Sequence, residues 1–580
     1  MKRFIVTLCC LMVIPLLAAS CSKKDDDVQQ DSTDVVPKVE ETTESLAPPM
    51  VLVNADGTAD CTVTKPIKCS EELEAAIDEF VRTVEKKTGV RLPVVDEYSE
   101  INTRYELAVN ATAGRPPAEE QLKQTGYTDY VVGIWDWHIM LTAQSDGVLR
   151  QGLKKIAASL ETIDEGYCIR EDMKLQVSAF LGEKKTSVPV YDTQNGTKLP
   201  FYSVNGGYEV CIQNTSKDET LAYADKLSRS GLSKHSENAI GDNLTYAFAG
   251  EDINVFVNYN ASLKTARIVF ENATELPSTV KPGLSASDTA KVSVAQIDVG
   301  GLGMSYVIQL KDYSFIVVDG GTEDAENVKK LYDYIVDKTP SGKKPTIECW
   351  IFTHADPDHI GAPHAFLDKY MENVSLKSVA YNFPDCSVQD TSQNDEEIGA
   401  SIFALENLIN RFYGATVYNV HTGQKLHFKG CEIEVLFTEE DIYPRMPANY
   451  NDTSLMMRFT FDSGKTFMLL GDSTVKNSKQ LAATYGDYLK SDILQLAHHG
   501  LVGGDKQLYM YIDPEICFWA TGQERFEGNW DTNKDGKVNA NDVQHCLGQG
   551  GCDYNKYIRD DSIRRRTHYH GGQLFVVTVD

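Results

Sequence analysis

The sequence predicts an α/β layered fold for the C-terminal half of the chain, preceded by two small α+β domains. From Val292 onward, short apolar strands alternate with helical segments, which is typical of layered α/β proteins. In that half, polar residues follow the ends of several strands. The preceding 230 or so residues contain two groups of strands, each with its own helical segments. A chain of 580 residues is long enough for several such domains.

Composition and charge limit the classes of partner. Apolar residues make up 42% of the chain, as in ordinary globular proteins, and the formal net charge is -28. This charge favours solubility and argues against a broad nucleic-acid-binding surface, although a local basic groove remains compatible with it.

The N-terminus has the pattern of an export signal. Lys2 and Arg3 precede an apolar run, and small residues lead to Cys21. The segment resembles a bacterial lipoprotein signal, which implies cleavage before Cys21 and a lipid anchor on its thiol. A plain signal peptide is the alternative. Residues 1–21 are thus a predicted signal peptide, and the acidic residues 22–50 a disordered tether. We expect a location at the cell envelope, on the extracytoplasmic face, with the cell surface as one option.

Residues 51–166 are predicted to form an α+β accessory domain. Apolar residues recur at a helical period between Cys69 and Lys87, with Ser70 as N-cap and Gly89 as the end. The strings T-G-V-R-L-P and Y-E-L-A-V-N make the segment similar to a small domain that precedes some glycoside hydrolases. Aromatic residues in its strands offer possible glycan contacts, although core packing is the commoner role for such residues. These candidates are Trp135, Trp137 and His138.

A second α+β accessory domain is predicted for residues 167–285. Its pattern comprises five strands and a helix from Thr220 to Ser230. No catalytic motif is found there, so we expect a spacer or accessory role. A Pro-flanked stretch from Ser278 to Ala290 reads as the linker to the hydrolase-like domain, residues 291–580.

Candidate metal ligands follow three predicted strands of that last domain. The first set lies in T-H-A-D-P-D-H-I-G, directly after the apolar residues Trp350–Phe352. Imidazoles and carboxylates brought to one turn suit a divalent transition metal. A carboxylate and two imidazoles follow two later strands. The candidates are His354, Asp356, Asp358, His359, Asp472, His498 and His499.

Together these motifs resemble those of the metallo-β-lactamase-fold hydrolases. The matching strings are I-D-V-G-G-L-G-M-S-Y-V-I, V-V-D-G-G, T-H-A-D-P-D-H-I-G, N-D-T-S-L, L-L-G-D and L-A-H-H-G. The chain is most similar to the competence-protein (ComEC-like) branch of that family. The resemblance implies an αββα sandwich with one or two divalent metals at one edge of its two sheets. Zinc is the first expectation, and manganese or iron are alternatives.

The resemblance also implies individual roles. His354 and Asp356 are expected to bind one metal, Asp358 and His359 the other, and Asp472 to bridge them. Asp358, His359 and Asp472 are the expected catalytic residues. Either His498 or His499 completes the second site, and His498 is preferred. Asp319 is expected to orient a ligand histidine by a hydrogen bond to the ring nitrogen that does not bind the metal.

This chain departs from the family pattern at two places. Most members have His where Asp356 stands, and the third family motif, normally a His, is replaced by Asn451-Asp452. Asp452 is therefore a candidate ligand and Asn451 a candidate substrate contact, and a one-metal enzyme is an alternative. His421 is a further candidate substrate contact, with a plain surface role as its alternative.

A calcium-loop pattern occurs in a predicted insertion, residues 522–566. Oxygen ligands stand at positions 1, 3, 5 and 12 of the loop, with a Gly at position 6. Dockerins contain two such loops, but we find one, so no cohesin partner is expected. The alternative is a surface Asp-Gly turn. The predicted calcium ligands are Asp531, Asn533, Asp535 and Asp542, together with Lys537 at position 7, where such loops bind through the backbone carbonyl.

Two functions remain open from the sequence. The first is an extracytoplasmic metal-dependent hydrolase that uses a metal-bound hydroxide on a phosphodiester or related ester, including extracellular nucleic acid. The second is an envelope-anchored glycan-binding lipoprotein with a vestigial metal site. In both, the lipid bilayer is a partner through acylated Cys21.

Overall fold

The computed structural model describes residues 49–170, 175–178, 188–199, 202–204, 207–299, 303–384, 395–410, 414–445, 447, 449–501, 503–523, 526 and 566–580. The chain from Pro48 to Asp580 clusters as one unit, and its described part contains five β-sheets. Within these ranges, no helix has the length and apolar content needed to cross a membrane.

The described residues of the predicted first accessory domain form two sheets and three helices. Helix α1 begins after Ser70, whose hydroxyl accepts a hydrogen bond from the Leu73 backbone N–H, and it ends at Gly89, where φ is 80°. Its apolar face is buried, as the helical period predicts. The elements are β1 Pro49–Asn54, β2 Cys61–Lys65, α1 Glu71–Thr88, β3 Val94–Asp96, β4 Tyr105–Val109, α2 Pro116–Gln124, β5 Asp129–Trp135, β6 His138–Ala143, α3 Asp146–Ala158, β7 Glu161–Ile163, β8 Gly166–Arg170 and β9 Leu175–Ser178.

The strand pairing moves the end of this domain beyond the predicted boundary at residue 166. Strand β8 pairs with β1, and β9 pairs with β5, so both belong to the first accessory domain. The sequence-based prediction had placed the residues of β9 in the second domain. The sequence shows only that a strand is present, whereas its sheet depends on a partner more than forty residues away.

The second accessory domain is one antiparallel sheet covered by a single described helix. The sheet order is β10-β12-β16-β15-β14-β13, with β11 beside β12. Strand β13 is polar and half exposed, which explains why hydrophobic alternation does not reveal it. The elements are β10 Thr197–Lys198, β11 Tyr202–Val204, β12 Gly207–Gln213, α4 Lys217–Arg229, β13 Ser233–Ile240, β14 Asn243–Ala249, β15 Ile253–Asn260 and β16 Thr265–Asn272.

The C-terminal half has the alternating strands and helices that the sequence predicts. Its elements up to residue 428 are β17 Ser293–Gln296, β18 Ser305–Gln309, β19 Phe315–Asp319, α5 Ala325–Lys338, β20 Thr346–Ile351, α6 Pro357–Tyr370, β21 Ser375–Leu376, β22 Ser378–Tyr381, α7 Asp395–Ile409, β23 Thr416–Asn419 and β24 Lys425–Phe428. The remaining elements are β25 Cys431–Phe437, β26 Met456–Phe461, β27 Thr466–Leu469, α8 Val475–Tyr485, β28 Ile493–Gln495, α9 Lys506–Ile512, β29 Ile516–Gly522, β30 Thr567–Gly571 and β31 Phe575–Thr578.

Two sheets of this half pack face to face between layers of helices. The first sheet runs β23-β22-β20-β19-β18-β17-β31, with β21 beside β20, and the second runs β24-β25-β26-β27-β28-β29-β30. One apolar cluster fills the space between the sheets, from Val318 on the first to Phe467 on the second. Separate clusters join the outer faces to α5, α6 and α7 on one side and to α8 and α9 on the other. The result is a four-layer α/β/β/α arrangement.

Candidate metal centre

The candidate ligands lie at the ends of parallel strands in both facing sheets. His354 follows β20, whose parallel neighbour β19 ends at Asp319. In the second sheet, Asp472 follows β27 and His499 follows the parallel strand β28. Parallel strands bring their carboxyl ends to the same edge, so the residues after them converge. Asp358 reaches the same edge from the first turn of α6, which begins at Pro357.

Two groups of three side chains are close enough to hold a metal ion. The ligand atoms of His354, His359 and Asp472 all lie within 4.8 Å of one another, and the same is true of Asp358, His359 and His499. The groups are joined twice, because His359 belongs to both and because His499 Nε2 is 3.1 Å from Asp472 Oδ2. This His/Asp cluster has the donor chemistry of a divalent transition-metal site.

Four atoms of the cluster are buried without a hydrogen-bond partner among the described residues. They are the Nε2 atoms of His354, His359 and His499 and the Oδ1 atom of Asp472. Buried polar atoms normally have hydrogen-bond partners, so four atoms without one at one place require an explanation. A cation bound by these atoms would satisfy all four, and the residues present therefore fit a metal ion.

The second nitrogen of each imidazole is held by the protein. His359 Nδ1 is 2.8 Å from Asp319 Oδ2, and His499 Nδ1 donates to the Ala520 carbonyl at 2.9 Å. His354 Nδ1 is 3.1 Å from the Thr353 hydroxyl. Hydrogen bonds of this kind place the proton on Nδ1 and leave the lone pair of Nε2 free to bind a metal.

Charge complementarity within the cluster shifts several pKa values. Burial opposes ionisation of Asp472, but the neighbouring imidazoles of His499 and His359 outweigh it and hold its pKa well below the usual range. Burial likewise opposes the charge of His499, yet Asp472 and Asp358 raise its pKa to about 10. The pKa of His359 is also raised, against its burial, by Asp472 and Asp319. Protons and metal ions therefore compete for the same nitrogens.

Asp356 and Asp358 stand at the more open side of the cluster. Asp356 Oδ2 is 3.4 Å from His354 Nε2, and Asp358 Oδ2 is 3.1 Å from His499 Nε2. Their side chains are 19% and 29% exposed, whereas those of His354 and His359 are 0% exposed. These two carboxylates are therefore ligand candidates that solvent and substrate can reach.

The structure favours His499, not the preferred His498, for the second group. His499 is buried, while the side chain of His498 is 28% exposed and its Nε2 is 3.8 Å from Asp472 Oδ2. Both residues are in the left-handed region, with φ of 57° and 51°. The sequence pattern places a strand before the pair, but this unusual turn decides which ring faces inward.

The side chains of Asn451 and Asp452 differ in their hydrogen-bond partners. Asp452 accepts from the Thr474 hydroxyl at 2.6 Å and pairs with Arg445 at 3.2 Å, and it belongs to neither metal group among the described residues. Asn451 Oδ1 is buried with no described hydrogen-bond partner. Asp452 thus has a supporting position, and Asn451 keeps a free acceptor for a substrate or a metal.

His421 follows β23, at the same edge of the first sheet, but the second accessory domain covers it. Its ring stacks on Phe256 at 3.7 Å, and its nitrogens lie 2.9 Å from Glu440 Oε1 and 3.5 Å from Glu271 Oε1. Only 3% of the residue is exposed. The expected substrate-contact role is therefore corrected to that of a buried charged group between domains, which the sequence could not show without the domain packing.

Several sequence predictions lie outside the described residues. They include Cys21, the tether up to residue 48, the calcium ligands Asp531, Asn533, Asp535, Lys537 and Asp542, and most of the insertion 522–566. The last two residues of the predicted tether, Pro49 and Met50, begin strand β1 instead. One residue that supports the site, Ala520, was missed because it acts through its backbone carbonyl, for which a side-chain pattern has no signal.

No protein-family model and no curated protein matches the chain. The solved metallo-β-lactamase fold protein YhfI from Bacillus subtilis is 12% identical, covers 50% of this chain and 100% of its own, and has a TM-score of 0.28. The diiron β-hydroxylase CmlA from Streptomyces venezuelae is 12% identical over 53% of this chain and 55% of its own, with a TM-score of 0.31. A chitobiase from Flavobacterium johnsoniae is 15% identical over 22% and 19%, with a TM-score of 0.14.

Proposed function

We propose that the chain is an extracytoplasmic metal-dependent hydrolase of the metallo-β-lactamase superfamily that acts on a phosphodiester or related ester. The observation that supports this most strongly is the convergence of four orphaned buried atoms from His354, His359, His499 and Asp472. Unpaired buried groups destabilise a fold by about 1–3 kcal/mol each, so their accumulation at one point favours a function for them.

The buried residues and the part-exposed residues of the site have different proposed roles. His354, His359 and His499 would hold the metal from the buried side, together with Asp472, which belongs to the first group and lies 3.1 Å from His499 of the second. A divalent cation bound there supplies Lewis-acid polarisation of the substrate and activates water at neutral pH. Asp358 is part exposed and ionised, because the His499 and His359 imidazoles lower its pKa against the effect of burial. Its carboxylate is placed to bind the metal or to accept a hydrogen bond from water entering the site.

The substrate and location rest on the sequence. The competence-protein-like motifs favour a phosphodiester substrate. The net charge of -28 favours a small phosphodiester, or one bound only at the site, over a long nucleic acid. The segment ending at Cys21 favours a lipid anchor in the cell envelope. Zinc is the first candidate metal, and the carboxylate at position 356 makes manganese or iron reasonable alternatives.

Elemental analysis of residues 22–580 tests the proposal. The wild-type chain is expected to bind one or two transition-metal ions, and Asp472→Ala to lose them together with hydrolysis of bis(p-nitrophenyl) phosphate. Asp337→Ala is the matched control, because that carboxylate is 79% exposed and lies on the outer helix α5. A wild-type chain that binds no transition metal would overturn the metal-dependent function.

A glycan-binding function is the second candidate, supported by one surface feature. Trp135 is 42% exposed and stacks on His138 at 5.1 Å, and Trp137 lies on the same imidazole at 3.7 Å. An exposed indole whose other face packs on a neighbouring ring can stack on a sugar ring. If retention on insoluble glycans is lost in Trp135→Ala while the Asp472→Ala variant is retained, the accessory domain binds glycans independently of the metal centre.

A further inference from the structure

The second accessory domain makes a dense, buried, charged contact with the C-terminal half. Arg267 on β16 is 7% exposed in its side chain and pairs with Glu209 on the neighbouring strand β12 at 2.8 Å. Its remaining hydrogen bonds cross the domain boundary. They reach the backbone carbonyls of Glu440 at 2.8 Å, Asp441 at 3.1 Å and Tyr443 at 2.5 Å. One guanidinium thus holds three carbonyls of a single segment.

These carbonyls belong to the turn that follows β25. A 3-10 turn runs over Glu439–Ile442, and the carbonyls at the end of such a turn need partners from outside it. Arginine provides five N–H donors in a rigid planar fork, so it can fix several acceptors in one orientation. Asn258 on β15 also donates to Asp441 Oδ1 at 3.1 Å, which ties the same turn to a second strand of the accessory sheet.

The segment continues from this turn to the metal centre. Arg445, two residues after Tyr443, pairs with Asp452 Oδ2 at 3.2 Å and also contacts Asn477. Asp452 Oδ1 accepts from the Thr474 hydroxyl at 2.6 Å, and Thr474 stands two residues after the candidate ligand Asp472. Two sets of hydrogen bonds, joined by the chain between Glu440 and Arg445, thus lead from the accessory domain to the loop that presents Asp472.

We propose that Arg267 is a positioning residue for the metal centre, and that the second accessory domain is a working part of the hydrolase rather than a spacer. This inference rests on the proposed function of the centre. Arg267 orders the segment from Glu439 to Arg445, which in turn fixes Asp452 and the loop of Asp472. Residues hydrogen-bonded directly to metal ligands typically change metal affinity or activity about 10- to 100-fold when altered, and for this longer path we expect the lower end of that range.

Two variants of the full chain break this contact in different ways. Arg267→Lys keeps a positive charge opposite Glu209 but loses the planar fork, so the buried carboxylate stays paired. The double variant Arg267→Gln with Glu209→Gln removes both buried charges, conserves the volume at position 209 and shortens the side chain at position 267. Asn238→Ala is the matched control, because Asn238 joins the same two domains through Glu434 Oε1 at 2.7 Å but does not contact the Glu439–Arg445 segment.

Zn²⁺ affinity measured by competition with a chromophoric chelator tests the proposal, with thermal unfolding of each metal-free variant beside it. We expect Zn²⁺ binding to weaken about 10-fold or more in Arg267→Lys and in the double variant, and to stay within about 3-fold of wild type in Asn238→Ala. Excess Zn²⁺ is expected to restore kcat in Arg267→Lys, which a general loosening of the interface would not allow.

Four results would overturn the inference. Wild-type Zn²⁺ affinity in a folded Arg267→Lys chain would exclude the positioning role, and an equal loss in Asn238→Ala would show a merely structural interface. If neither Arg267 variant folds, Arg445→Gln tests the same path from its other end, and an unchanged affinity there excludes it. A wild-type chain that does not bind Zn²⁺ overturns the proposed function as well as the inference. The other results leave wild-type binding intact and overturn the inference alone.

Discussion

The carboxylate of Asp319 and the imidazole of His359 form a buried pair, with Oδ2 and Nδ1 2.8 Å apart. The same carboxylate accepts from the Thr353 backbone N–H at 2.8 Å and from the Thr353 hydroxyl at 2.7 Å. Three donors fix Asp319, and Asp319 fixes the ring, so that His359 Nε2 lies 3.3 Å from Asp472 Oδ1. The contact that the sequence led us to expect from Asp319 is therefore present and directed at the candidate metal centre.

Replacing Asp319 by Asn is expected to weaken metal binding about 10- to 100-fold. The amide NH₂ faces either His359 or Thr353, and one of these donors loses its acceptor. The free energy of unfolding should fall by about 1–3 kcal/mol, because a buried donor is left unsatisfied. Chelator competition and urea unfolding measure the two effects. Asp324→Asn is the control, since Asn is an equally good cap for α5. Unchanged affinity in Asp319→Asn would show that the contact does not orient the ligand.

The adjacent histidines after β28 are expected to differ sharply in function. His499→Ala removes a buried ligand candidate and should reduce metal affinity at least about 10-fold, whereas His498→Ala removes a ring farther from Asp472 and should change it less than about 3-fold. Isothermal titration of the metal-free variants with Zn²⁺ measures the difference. The reverse order would restore His498 as the ligand that the sequence favoured.

Gly500 is expected to tolerate no side chain. A Cβ at this position would lie 2.1 Å from Trp519 Cε3, and φ is 76°. Gly342 has a similar φ of 79° but open space around it. Gly342→Ala should therefore cost only the left-handed backbone penalty of about 1–2 kcal/mol, and Gly500→Ala more, because the turn carrying His499 must also shift. Urea unfolding gives both values, and equal losses would contradict the clash with Trp519.

His421 is expected to make stability fall as pH rises. Burial opposes its charge, but Glu440 and Glu271 outweigh burial and raise its pKa to about 10. The folded state then binds the proton more tightly than the unfolded state. This contribution is complete below the unfolded pKa of about 6.5 and is lost as pH rises towards 10, with a slope of at most about 1.4 kcal/mol per pH unit.

Denaturant unfolding of wild type and His421→Gln between pH 6 and about 10 tests this expectation. The variant should be less stable at pH 6, because Glu440 and Glu271 lose their cation, and the difference from wild type should shrink as pH approaches about 10, where His421 also loses its charge. Parallel curves would mean that His421 titrates alike in the folded and unfolded chain.

Much of the architecture follows from local patterns. The helix after Ser70 was predicted within a few residues, since burial of one face imposes a visible period. Helix α2 was missed, because Pro116-Pro117 at its start and its many polar residues weaken the apolar period. The strand β13 was missed for a similar reason, since little of it is buried.

The sequence by itself determined which residues can bind a metal and that they follow successive strands, because ligand chemistry and strand ends are local properties. Only the tertiary structure decided that His499 turns inward and that His421 is sealed beneath Phe256. It also decided that Arg267 reaches across a domain boundary to Tyr443. These outcomes depend on a backbone turn and on contacts between distant segments, and the free energy of such contacts comes from partners that no local pattern identifies.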